Sequence, residues 1–112
     1  MSQITTHILD TSIGKPAKGI QIYLEEKSGS DWKLLGSGTT NEDGRIADLL
    51  AKEVKLSFGI YRMVFEVKPY FEKQNVISFY PKVVVEFEVS EDRHYHVPLL
   101  LNPFGYSTYR GS

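Results

Sequence analysis

Tyr61-Arg62-Met63-Val64-Phe65-Glu66-Val67 decides the fold class. Tyr61, Met63, Phe65 and Val67 fall on one side of a period of two, and Arg62, Val64 and Glu66 on the other. A β-strand turns successive side chains to opposite faces, so this segment reads as a strand with one face in a core. A helix would repeat its apolar residues every three or four positions instead. The same period recurs on both sides. Val83, Val85, Phe87 and Val89 alternate with Val84, Glu86 and Glu88, and Ile20, Ile22 and Leu24 alternate with Gln21, Tyr23 and Glu25. Further strands are expected at Ile4–Leu9, Trp32–Thr39, His94–Leu101 and Phe104–Tyr109. Turn residues separate them at Gly14-Lys15-Pro16, Ser28-Gly29-Ser30, Asn41-Glu42-Asp43-Gly44 and Asn102-Pro103. About seven or eight short strands at this spacing predict an all-β sandwich or small barrel. One helix is expected at Pro69–Gln74, with Pro69 at the first helical position, where a missing amide hydrogen costs nothing.

The 112 residues form one domain, spanning 1–112, with enough chain for a single core. Thirteen basic residues against fourteen acidic ones leave no charged field to attract nucleic acid or an anionic membrane. The absence of cysteine excludes disulfides, zinc–thiolate sites and thiol catalysis. No apolar run approaches membrane-spanning length. The N-terminus carries neither a basic segment nor an apolar one of the secretory kind, so a cytoplasmic protein is expected.

Several polar residues stand out from the strand pattern. His7 shares a strand face with Thr5 and Leu9, opposite the apolar face of Ile4, Thr6 and Ile8, and therefore points outward. His94 and His96 lie two apart, on one face of their strand. Imidazoles so spaced can share a metal, with His7 or a carboxylate as the third ligand, but the spacing alone is weak and no metal site is assigned. Acid–base work is the better functional reading, because imidazole titrates near neutral pH. Arg45 follows an Asp-Gly turn that fixes its place at the start of a short strand. The chain ends on Tyr109-Arg110-Gly111-Ser112. A disordered tail would leave Phe104, Tyr106 and Tyr109 in water, so an ordered terminal strand is expected, paired with Val97–Leu101 through the Asn102-Pro103 turn. No nucleophile elbow, phosphate loop or dinucleotide fingerprint is present.

These residues carry a resemblance. His7-Ile8-Leu9-Asp10 with Gly14-Lys15-Pro16-Ala17 resembles the first strand and turn of the transthyretin-like proteins. Thr40-Asn41-Glu42-Asp43-Gly44-Arg45 and Phe79-Tyr80-Pro81 match further blocks of that family. His94-Tyr95-His96-Val97-Pro98-Leu99-Leu100-Leu101, followed by Tyr106-Ser107-Thr108-Tyr109-Arg110-Gly111-Ser112, resembles the 5-hydroxyisourate hydrolases within it. The hormone-carrying transthyretins lack both that ending and the histidines.

The resemblance implies a two-sheet antiparallel β-sandwich of about eight strands with one short helix. It implies a homotetramer, a dimer of dimers, with its sites in a central channel. It also implies hydrolysis of 5-hydroxyisourate to 2-oxo-4-hydroxy-4-carboxy-5-ureidoimidazoline in urate breakdown, with no cofactor. By the same resemblance His7, Arg45, His96 and Ser112 are the catalytic candidates. His7 and His96 would share the acid–base roles, and which of them is the base stays open. Arg45 would hold substrate oxygens and stabilise negative charge. Ser112 would bond the attacking water or the substrate. Tyr109 would contact the planar ring, Gly111 would let the backbone pass close, and Arg110 would bind substrate or position the tail. Independently of the family, the face bearing Thr5, His7, Leu9, His96, Pro98 and Leu100 is partly apolar, which suggests an assembly interface. Two other readings fit the pattern: a carrier that binds small aromatic ligands in the channel without turnover, and a structural sandwich with incidental histidines.

Overall fold

A computed structural model describes residues 2–111. The opening alternation becomes β6 (Gly59–Glu66), the third strand of a four-stranded sheet. Its neighbours are β4 (Gln21–Ser28) and β7 (Val83–Val89), and β5 (Asp31–Thr39) closes the far edge beyond β4. Every pairing in this sheet is antiparallel, with Tyr61 opposite Phe87 and Ile22 opposite Phe65. Ile22, Leu24, Tyr61, Met63 and Phe65 are fully buried, while Glu86 and Glu88 face water, as alternation requires.

The second sheet contains β2 (Ile8–Asp10), β3 (Lys15–Pro16), β9 (Leu99–Asn102) and β10 (Gly105–Thr108), in the order β10-β9-β2-β3. A separate pair, β1 (Ile4–Thr5) with β8 (Tyr95–His96), continues the line of β2 and β9. Ile4, Ile8, Leu99 and Leu101 pack against the apolar face of the first sheet in one core. The fold is thus an all-β sandwich. The helix α1 (Val67–Glu72) buries Val67, Tyr70 and Phe71 against it. The Tyr70 hydroxyl donates to buried Asp10 at 2.7 Å, which ties the helix to the end of β2. Burial, and then this carboxylate, push the Tyr70 phenol up to about 12.

Five details differ from expectation. The helix starts two residues early, so Pro69 is its third residue; the first four amide hydrogens of a helix have no internal partner, so proline is tolerated there as well. The strands expected at Ile4–Leu9 and His94–Leu101 are each split in two. They run parallel, and only the other sheet is wholly antiparallel. The split falls at Pro98, which has no amide hydrogen to donate. Backbone bonds continue around it, from Val97 to Thr5 and from Leu99 to His7, both at 2.9 Å. Pro98 itself is buried rather than outward-facing. Lys15-Pro16, read as a turn, pairs with β2 as an edge strand, the place where a sheet accepts proline. Arg45 opens no strand; it makes a single antiparallel bridge to His7.

The terminal hairpin is as expected: Leu99–Asn102 pairs with Gly105–Thr108. In one chain, however, Phe104, Tyr106 and Tyr109 remain exposed. Among the described residues, no helix is long and apolar enough to cross a membrane.

Candidate active site

The site forms where three separate segments meet on the outer side of the second sheet. The first is His7, at the break between β1 and β2. The second is the Asn41–Arg45 turn. Asn41 Oδ1 accepts from the amides of Asp43 at 2.9 Å and Arg45 at 3.1 Å, and Gly44 takes a φ of +71°. A side chain at Gly44 would collide with the Ile8 carbonyl. Only glycine therefore lets the turn reach the strand, where Ile8 donates to the Gly44 carbonyl at 2.9 Å. His7 and Arg45 become direct cross-strand neighbours in this way.

The third segment is β8 with the chain end. His96 lies opposite Thr5 in parallel register and opposite Gly111 in an antiparallel bridge. The Gly111 amide donates to the His96 carbonyl at 2.9 Å. A Cβ on Gly111 would sit 2.5 Å from His96 Cδ2, so any side chain here would force the imidazole or the tail to shift. Ser112 lies outside the described residues. Tyr109 and Arg110 follow the tail along a hollow that His96 also lines. The Arg110 guanidinium lies 4.6 Å over the Tyr95 ring and reaches Glu91 at 3.3 Å, so it clamps the tail to β8.

Electrostatics single out His96. Burial, followed by the positive charges of Arg45, His94 and His7, holds its imidazole below the usual histidine range. At neutral pH it is uncharged and able to accept a proton. Arg45 is exposed, and no carboxylate among the described residues pairs with it. A neutral imidazole beside a guanidinium that no described carboxylate pairs has the chemistry for a base next to an anion-stabiliser. Among the described residues, no group of three His, Cys, Asp or Glu side chains is placed to hold a metal ion.

With this geometry in view, the comparisons with known proteins are specific. Residues 4–111 match the HIUase/Transthyretin family. The chain belongs to that family. It is 46% identical over 110 residues to the 5-hydroxyisourate hydrolase of Salmonella dublin, which covers 97% of this chain and 80% of the relative. The structure of Klebsiella pneumoniae 5-hydroxyisourate hydrolase superposes with a TM-score of 0.86 at 35% identity, covering 97% of this chain and 98% of that one. Sea bream transthyretin in complex with thyroxine superposes with a TM-score of 0.91 at 29% identity, covering 98% and 95%. The sandwich is thus shared by a hydrolase and a thyroxine-bound transthyretin, and the fold alone does not separate them.

Of the residues expected to form the site, His7, Arg45, His96 and Gly111 are brought together around one outer face of this family member. One participant escaped the sequence reading. Thr5 bonds both His96 and His94 through its hydroxyl. Its place on the His7 face was visible, but its pairing with residues some ninety positions away was not.

Proposed function

We propose that this protein hydrolyses 5-hydroxyisourate. The observation that carries the reading is the convergence of a neutral, half-buried His96 with His7 and Arg45, which no carboxylate among the described residues pairs, beside a chain end whose glycine lies close against the imidazole. A 46%-identical relative that bears the hydrolase name supports it.

The reaction is attack of water on a ring carbonyl and cleavage of the amide C–N bond. It needs a base for the water, a cation for the developing oxyanion and a proton for the leaving nitrogen. His96 is the base, since it stays unprotonated to lower pH than an ordinary histidine. A positioned base contributes roughly 10²–10⁴-fold. Arg45 takes substrate oxygens in its planar fork and stabilises the oxyanion, a geometry lysine does not reproduce. His7 contributes a second imidazole beside Arg45. Tyr109 flanks the planar ring, and Ser112 holds the attacking water through its hydroxyl.

The working form is a homotetramer. Leu9 and Leu100 share the outer face with the site, while Phe79, Phe104 and Tyr106 are exposed aromatics that an isolated chain leaves in water. A dihedral dimer of dimers would cover both surfaces and enclose the histidines in a shared channel.

Following freshly made 5-hydroxyisourate by ultraviolet absorbance, with and without protein, tests the reading. Faster decay with the intact chain, and much less with a chain ending at Gly111, is expected. Decay no faster than buffer would favour a carrier, the role to which the likeness to a thyroxine-bound transthyretin points. Light scattering beside activity on dilution tests the assembly: full activity from a monomer would refute a site shared between subunits.

A further inference from the structure

Thr5 is an unusual link in this site. Its hydroxyl oxygen lies 2.8 Å from His96 Nδ1 and 2.7 Å from His94 Nε2. The two rings stack nearly parallel, with centroids 6.4 Å apart. His94 is exposed and His96 half-buried, so the chain of contacts runs from solvent to the site. The Thr5 carbonyl accepts from the Val97 amide at 2.9 Å, which fixes the residue in register.

A hydroxyl has one proton to donate. Thr5 therefore donates to one imidazole and accepts from the other, which allows two arrangements. In the first, His96 Nδ1–H donates to Thr5 and Thr5 donates to His94 Nε2, leaving His96 Nε2 as a free lone pair. In the second, His94 Nε2–H donates to Thr5 and Thr5 donates to His96 Nδ1, leaving the His96 proton on Nε2. The first makes His96 a base at Nε2; the second makes it an acid at the same atom.

We propose that Thr5 and His94 form a proton relay that switches His96 between these two roles. This rests on the hydrolase reading for its catalytic half. The protons balance as follows. His96 Nε2 takes a proton from water as the oxygen bonds to the carbonyl carbon. Its Nδ1 proton passes to Thr5, and the Thr5 proton passes to His94 Nε2. His94 sheds its Nδ1 proton to solvent. When the C–N bond breaks, His96 Nε2–H protonates the leaving nitrogen. His96 Nδ1 then takes the Thr5 proton, Thr5 takes that of His94 Nε2, and His94 regains one from solvent. One imidazole serves as base and then as acid, and the water proton is the one the product nitrogen gains.

The charged groups around the relay are His7 and Arg45 on the His96 side. Lys52, Lys55, Asp92 and Arg93 surround His94 in a shallow hollow, with Lys55 and Asp92 paired at 3.3 Å. The positive charges at both ends favour moving a proton outward rather than storing it.

The test joins a spectrum to a rate. In the tetramer labelled with ¹⁵N-histidine, long-range proton–nitrogen spectra report which ring nitrogen of His96 carries hydrogen. Lowering the pH until His94 is cationic gives it a proton on Nε2, which must then donate to Thr5, so neutral His96 should be held as the Nε2–H form. Thr5→Val should uncouple the His96 pattern from the His94 titration, and Thr5→Ser should keep the coupling. In turnover, Thr5→Val and His94→Gln should lower kcat about 10- to 100-fold, part of the full general-base effect, with KM little changed. Thr5→Ser should retain most of the parent rate. A His96 tautomer indifferent to the His94 titration overturns the switch. Coupled spectra with Thr5→Val as fast as the parent overturn the relay. A parent that turns over no substrate at all overturns the hydrolase reading and the relay's catalytic half, while the spectra still decide the coupling.

Discussion

The outer faces of the two sheets carry cations in opposite ways. On the β5-β4-β6-β7 sheet, Arg62 Nε lies 2.6 Å from Glu25 Oε1, and its guanidinium stacks 4.2 Å above the Trp32 ring. Glu86 sits opposite Arg62 on the next strand. Arg62 there has a carboxylate partner, and the arrangement explains itself as sheet surface. On the other sheet, Arg45, His7 and His96 gather without a pairing carboxylate among the described residues, and their mutual repulsion is strong enough to help keep His96 neutral. Folding gains nothing from such a cluster, since like charges held together are destabilising. On the proposed reading, a ligand or transition state that brings negative charge accounts for its presence.

A pair of substitutions, one on each face, gives the largest expected effect. His96→Ala is expected to lower kcat/KM by about 10²–10⁴-fold while shifting Tm little, because the side chain is only half-buried. Arg62→Met, at an equally conspicuous cation, should leave kcat/KM unchanged. A normal rate from His96→Ala, followed by decay of 5-hydroxyisourate, would remove the functional meaning of the unpaired cluster.

Gly111→Ala tests the contact between the tail and His96. The added methyl would meet the His96 ring, so either the imidazole turns or the tail lifts away with Ser112. A displacement of about 1 Å in a catalytic group can cost on the order of 10²-fold, and that is the loss expected in kcat/KM. Rotation of His96 should be visible in the nitrogen spectra, whereas a lifted tail should become sensitive to carboxypeptidase. Retention of the full rate would mean that the tail contributes nothing to the site.

The third effect lies on the paired face and concerns stability alone. Arg62→Met leaves Glu25 without its partner while its side chain is largely covered, and a loss of about 1–3 kcal/mol is expected in urea unfolding. If the variant matches the parent, the pair is an idle surface contact of the kind often seen in sheets.

The two faces were also unequally legible. Tyr61–Glu66 and Val83–Val89 announce the first sheet because each strand buries one face, and burial of alternate residues is written directly in the order of residue types, whereas Val67, read with that strand, opens α1. The outward direction of His7 followed from the same rule. What escaped was pairing over long separation. Nothing local indicates that Thr5 meets His96 in parallel, that Pro98 interrupts the ladder, or that Lys15-Pro16 serves as an edge strand. Arg45 was placed after its turn by Asp43-Gly44, yet its bridge to His7 depends on the Gly44 backbone reaching Ile8, a tertiary contact. The terminal glycine was recognised through family resemblance, and its physical reason, the close approach to His96, emerged only from the fold.

The smallest expected effect concerns pH. Burial and the neighbouring positive charges lower the His96 pKa in the folded chain, while in the unfolded chain it titrates near 6.5. Between those two values the unfolded chain binds more protons than the folded one. Stability therefore rises with pH through this window; the contribution of His96 is complete above about 6.5 and is lost as pH falls toward the folded value. His96→Asn removes the titration, so the slope of unfolding free energy against pH just below 6.5 should flatten, measured at one protein concentration to hold assembly constant. Arg62→Met should keep the parent slope, because an arginine stays charged throughout this range. A parent curve already flat there, or a His96→Asn curve as steep as the parent's, would mean that the cluster does not strain the fold, and the physical difference between the two faces would rest on geometry alone.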